Sequence, residues 1–87
     1  MLDEFLGQIV VIDLRSHYVC IGTFQRMDEQ HLELLDADMH DLRDSDTSRE
    51  NYIAASRATG IKRNRRRVLL VRGDVVAYAL FKDVVDE

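Results

Sequence analysis

Five short apolar runs, rich in β-branched residues, crowd into 87 residues that contain no proline, and this crowding restricts the chain more than any other feature. Ile9 to Ile12, followed by Leu14, reads as a buried strand with Asp13 as an exception. Arg15-Ser16-His17 is short and polar, as a hairpin connection is, and Tyr18 to Met27 forms a second strand interrupted by Gly22. A glycine within a strand marks a bend or a close backbone approach. Asp28-Glu29-Gln30 reads as a turn and Leu32 to Leu35 as a third strand. The apolar runs Val68 to Val71 and Val75 to Phe81, on either side of Arg72-Gly73-Asp74, supply the last two. A flat sheet built from so few residues leaves one apolar face uncovered, so the expectation is a strongly bent sheet or small barrel in a single domain.

The remaining segments read as helix or loop. Leu2 and Phe5 stand at helical spacing, which predicts a short N-terminal helix ending near Gly7. After Asp36 the chain turns polar. Thr47 and Glu50 have the spacing of a capping box, and Gly60 is placed as the left-handed residue that closes a helix, so a helix over Arg49–Thr59 is expected. That helix is weakly amphipathic, with Tyr52, Ile53 and alanines as its packing face, and needs a surface to dock on.

Composition and charge narrow the function. Nearly half the residues are hydrophobic and a third are charged, which fits a globular domain rather than a disordered chain. No run approaches the ~20 apolar residues of a membrane helix, and the N-terminus lacks the pattern of a signal peptide. The lone Cys20 cannot form an internal disulfide and is expected in the core, so the cytoplasm is the expected location. The net charge of −4 argues against a surface that embraces nucleic acid all round. Charge is nonetheless segregated, with acids between Asp36 and Asp46 and bases at Lys62, Arg63, Arg65, Arg66 and Arg67.

Two segments carry a family resemblance. Residues 7–37 contain Val10, Ile12 and Leu14, then Cys20-Ile21-Gly22-Thr23-Phe24, Met27-Asp28, and Leu32-Glu33-Leu34-Leu35-Asp36-Ala37. They resemble the first Sm motif. Residues 68–81, through Leu70-Val71-Arg72-Gly73-Asp74-Val75-Val76, resemble the second. The chain is thus similar to the Sm-like (LSm) family, which includes the Sm proteins and bacterial Hfq, with an unusually long connection at 38–67. The resemblance implies an all-β fold with minor α: a five-stranded open barrel with an N-terminal helix and, here, an inserted helix between strands 3 and 4. It implies subunits that close into a homo-oligomeric ring, most often of six or seven, and single-stranded RNA held near the central pore.

Carried over residue by residue, the resemblance gives Asp28 the role of orienting a nucleotide pocket and Arg72 that of stacking on or clamping a base. Gly73 would allow close backbone approach, Asp74 would hold the turn, and His31, where the family's asparagine is absent, would stack and donate a hydrogen bond. Arg65, Arg66 and Arg67 either face RNA phosphates or form a solvated surface and intersubunit ion pairs with the acidic stretch. A ring that serves only as a structural or protein-interaction module is the alternative. Asp36, Asp38, His40 and Asp41 could be read as a divalent-cation site, even as that of a metal-dependent nuclease. No second ligand cluster follows, however, and residues alternating at a strand end are usually solvated. No metal, cofactor or catalytic activity is expected.

Overall fold

The computed structural model describes residues 2–43 and 48–84. Five antiparallel strands, β1 (Ile9–Leu14), β2 (Tyr18–Met27), β3 (His31–Asp41), β4 (Arg65–Val71) and β5 (Val75–Leu80), form one open sheet in the order β4-β3-β2-β1-β5. A helix, α1 (Arg49–Thr59), separates β3 from β4. The last two strands are consecutive in sequence yet occupy opposite edges, joined only by the 3-10 turn Arg72–Asp74. In a flat sheet those edges would stand four strand spacings apart, about 19 Å. The chain from Val71 to Val75 reaches at most about 14 Å. The sheet therefore has to curl, as the crowding of strands predicts.

Each face of the curled sheet has its own core. Val10, Ile12, Cys20, Phe24, Leu32, Leu34, Val68 and Leu70 point to the concave side and fill it. Val11, Val19 and Ile21 point outward and are covered by Tyr52 and Ile53 of α1. This two-sided burial explains the unbroken apolar run of β1: Val10 and Ile12 serve one core and Val11 the other. Asp13, the exception in that run, binds Arg49 at the start of α1, accepting from Nε at 2.5 Å and from Nη2 at 3.0 Å. Gly22 is required where β2 bends, since a Cβ there would come within 2.8 Å of the Ala37 Cβ and 3.1 Å of its Cα.

Four boundaries differ from the sequence reading. The N-terminal helix is one 3-10 turn, Leu2–Phe5, because Gly7 and Gln8 already hydrogen-bond to Phe24 of β2 and leave no residues to extend it. The turn still seats Phe5 edge-on against Phe24 and Tyr78. The third strand continues six residues past Leu35, and the fourth starts at Arg65, so the insertion spans 42–64 rather than 38–67. At Asp36 the backbone takes a positive φ of 49°, and a bulge against β2 falls between Thr23 and Ile21. Past that bulge Ala37 and Met39 again face the concave core. The alternation is hidden in sequence because the opposite positions, Asp38 and His40, are polar.

The helix is capped by Ser48, whose Oγ accepts from the Asn51 N–H at 3.1 Å. The predicted capping residue Thr47 lies outside the described residues, and Glu50 falls one position too early to complete a box with Ser48. Gly60, at φ 94°, closes the helix as expected, its N–H donating to the Ser56 carbonyl. Finally, β5 stops at Leu80. Phe81 enters a 3-10 turn, Phe81–Asp83, and packs with Val84 against the outer core, where Arg57 of α1 donates to the carbonyls of Phe81 and Val84. No helix among the described residues is long and apolar enough to cross a membrane.

Candidate nucleic-acid interface

Two turns meet at one end of the sheet. The first joins β2 to β3, where Met27 pairs with Leu32 and the Asp28 N–H donates to the His31 carbonyl at 2.9 Å. Asp28 Oδ1 accepts from the backbone N–H groups of Gln30 at 2.8 Å and His31 at 2.7 Å. This is the local bonding that makes aspartate a turn former. Those two N–H groups hold the Asp28 carboxyl below its ordinary pKa. The second turn is Arg72–Asp74. It is carried to the first by the β3–β4 register, which sets His31 opposite Val71.

Contacts between the turns are specific. The Arg72 backbone N–H donates to the Gln30 carbonyl at 2.9 Å, and Arg72 Nη1 donates to the Asp28 carbonyl at 2.8 Å. One donor of the guanidinium is thus spent on orientation while the residue stays exposed. His31 is half-exposed, with Nδ1 4.0 Å from Asp28 Oδ1. Asp74 ties its turn to the β1–β2 connection through its backbone carbonyl, which accepts from the Arg15 N–H at 2.7 Å. At Gly73 an added Cβ would meet nothing within 4 Å, so the backbone there is open to approach from outside. A 210 Å³ pocket beneath these turns is lined by Arg72, Met27, Leu32, Val75 and Tyr78.

The arginine run is divided. Arg65, Arg66 and Arg67 all lie in β4 and are exposed. Arg65 and Arg66 sit at the far end of the strand, about 20 Å from Arg72 at the usual rise per residue. Arg67 lies nearer. It donates through Nε to Glu33 Oε2, while Arg26 Nε lies 2.9 Å from Glu33 Oε1. Glu33 is only 5% exposed, so its carboxylate is a buried charge held by two cations. With Asp28, His31 and Leu69 these groups line a 370 Å³ pocket on the convex side of β2-β3-β4. The structure therefore joins Asp28, His31, Arg72, Gly73 and Asp74 at one end, adds Arg67 beside them, and leaves Arg65 and Arg66 apart.

Sequence reasoning passed over Arg26 and Glu33. A signal was present in Leu32-Glu33-Leu34, whose alternation turns Glu33 away from the concave core. Its partner Arg26, however, depends on a register that bulges twice between β2 and β3, and its partner Arg67 on the pairing of β3 with the distant β4. The acidic stretch also behaves differently from the expectation of solvated side chains. Asp38 is 4% exposed and accepts from the Tyr52 hydroxyl at 2.5 Å, and burial together with this carboxylate raises the phenol's pKa. His40 stacks on the Tyr52 ring at 4.3 Å. Asp41 binds Arg43, and Asp36 is exposed. No three His, Cys, Asp or Glu side chains among the described residues are grouped to hold a metal. Cys20 is buried, and burial pushes its thiol up to about 12. No protein-family model matches the sequence, and no curated protein matches it.

Proposed function

We propose that the chain is an Sm-like subunit that closes into a homo-oligomeric ring and binds single-stranded RNA beside the pore through Asp28, His31 and Arg72. The observation that carries this reading is the meeting of the two turns, in which Asp28 is wired to backbone N–H groups and its carbonyl aims an exposed guanidinium. Planar side chains held in this way suit single-stranded RNA, whose splayed bases are bound by stacking and edge hydrogen bonds. Gly73 leaves room for a strand to approach. Ring closure is supported by the sheet's edges. The large exposed hydrophobics include Leu69 and Val71 on β4 and Val76 on β5, the two strands with an unpaired edge. Head-to-tail pairing of such edges covers them and removes a site of aggregation.

The test is the mass of the intact assembly in solution, followed by fluorescence anisotropy with U-rich, A-rich and mixed RNA at low salt. A closed ring with salt-sensitive binding is expected, weakened about tenfold or more by Arg72→Ala, the scale of one lost stacking contact. A monomer would break the argument from edges. A ring that binds none of the three RNAs would favour the second reading, a structural or protein-interaction module. That reading draws on the acidic net charge and on the engagement of Arg67 by Glu33.

A further inference from the structure

Arg26, Glu33 and Arg67 form a constellation outside the two turns. A carboxylate this deeply buried is costly unless paired; one of its oxygens accepts from Arg67 Nε, and the other forms an ion pair with Arg26, whose Nε lies 2.9 Å away. The Nε edge is one of two that a guanidinium can present. Among the described residues no other group accepts from either arginine, so the outer Nη donors of both remain available. Their side chains are 72% and 54% exposed although each Nε rests against Glu33. The two guanidiniums form a pair of forks; the triad carries a net charge of +1, which Asp28 on the same pocket wall brings to zero. Both arginines line the 370 Å³ pocket that His31 also borders. Asp28, on the same wall, directs one carboxylate oxygen at backbone N–H groups rather than at the arginines. Cross-strand bracing of β2, β3 and β4 requires only the Nε contacts and gives no reason for two outward forks beside a pocket.

We infer that Arg26 and Arg67, oriented by Glu33, form a phosphate clamp that takes the phosphodiester backbone of single-stranded RNA as the strand passes from the Asp28–Arg72 turns onto the convex face. The chemistry matches: one phosphodiester carries a single negative charge and accepts in the plane of a guanidinium fork. Fixing the forks in advance lowers the ordering cost of binding. The inference rests on the RNA-binding reading and extends it from a base pocket to a path for the strand.

Anisotropy with Arg26→Gln and Arg67→Gln, measured on a trinucleotide and on a long oligonucleotide, tests it. The triple variant Arg26→Gln/Glu33→Gln/Arg67→Gln, which leaves no unpaired buried charge, guards against a loss that reflects unfolding. The long RNA is expected to lose about tenfold in affinity with each single variant. Its log–log salt slope should become shallower by about 0.7 for every clamp it spans. The trinucleotide should bind as before, and uncharged methylphosphonate linkages in the long RNA should abolish the difference between wild type and Arg26→Gln. Equal losses for short and long RNA, or no loss in any variant, would overturn the clamp and leave the turn site standing. Wild-type protein that binds no RNA would overturn both, and the Arg72→Ala comparison separates the two cases.

Discussion

The two ends of β3 carry the same kinds of residue and use them in opposite ways. At the His31 end, an aspartate, a histidine and an arginine lie at the surface, and the hydrogen bonds between them mostly involve backbone groups. At the Asp41 end, Asp38 and His40 lie beneath α1. There the carboxylate is spent on the Tyr52 hydroxyl and the imidazole on the Tyr52 ring. The difference is one of cover. An exposed polar group keeps its water, and orienting it costs little, so it remains available to a ligand. A buried carboxylate under a helix must be paired inside the protein, as Asp38 is, and once paired it holds the fold rather than a ligand. The stacked His40 keeps its ring in place although its buried Nε2 has no hydrogen-bond partner among the described residues. The inserted helix thus converts what resembles a metal-ligand run into a docking surface.

This contrast predicts a gradient of stability losses. Ile53→Ala, at the centre of the helix contact and 1% exposed, should cost about 2–5 kcal/mol in chemical denaturation, the range for large-to-small changes in a core. Because α1 is weakly amphipathic, its amides should also lose hydrogen-exchange protection before those of β1 and β2. Loss of protection spread evenly over the molecule would mean that α1 and the sheet form one cooperative unit, and the two ends would then differ less than their burial suggests. Tyr52→Phe should cost about 1–3 kcal/mol by leaving the buried Asp38 carboxylate unpaired. The double change Tyr52→Phe/Asp38→Val removes both polar partners and should recover most of that loss. A Tyr52→Phe protein as stable as wild type would show that the hydroxyl–carboxylate bond does not anchor the helix.

What could be read from the sequence follows the same division. The interiors of the strands were legible, because Val10, Ile12 and Leu34 obey simple alternation and Val11 fills the run only by serving the second core. The extension of β3 was not. Asp38 and His40 look like loop residues until Tyr52, on an element distant in sequence, supplies their cover. At the other end, the meeting of Asp28 with Arg72 is what the resemblance of residues 7–37 and 68–81 to a pair of motifs implies, and no alternation or spacing within the sequence carries it. The Arg26–Glu33–Arg67 triad was not legible, since Arg26 meets Glu33 only after a register shift beyond Phe24. The division of the arginine run was equally hidden: a strand beginning at Arg65 fixes which arginine lies near the turns, and the run itself reads as uniform.

At the exposed end the expected effects on stability are small. Arg72→Ala should shift the unfolding free energy by no more than about 0.5 kcal/mol, as surface substitutions usually do, while weakening RNA binding. A large loss of stability would place Arg72 with the structural residues and dissolve the contrast between the ends.

Acid titration probes both ends by one measurement. Asp28 has its folded pKa lowered by the N–H groups of Gln30 and His31, and Asp41 is lowered from 3.8 to about 2 by hydrogen bonds from the Arg43 side chain and backbone. A depressed folded pKa means that the unfolded chain binds the proton more readily. Each contribution is therefore fully present above the unfolded value and is lost as the pH falls through the folded one. For Asp41 that window runs from about 4 down to about 2. Asp41→Asn should remove the Arg43 charge contact, lower stability at neutral pH and flatten its decline within that window, so that variant and wild type converge in stability as the pH falls to about 2. Asp28→Asn should flatten the same acid limb, because the amide oxygen still accepts from the turn but no longer titrates. If neither variant alters the limb, the hydrogen bonds that orient these carboxylates persist in the unfolded ensemble, and both ends of β3 are less dependent on the folded sheet than their geometry implies.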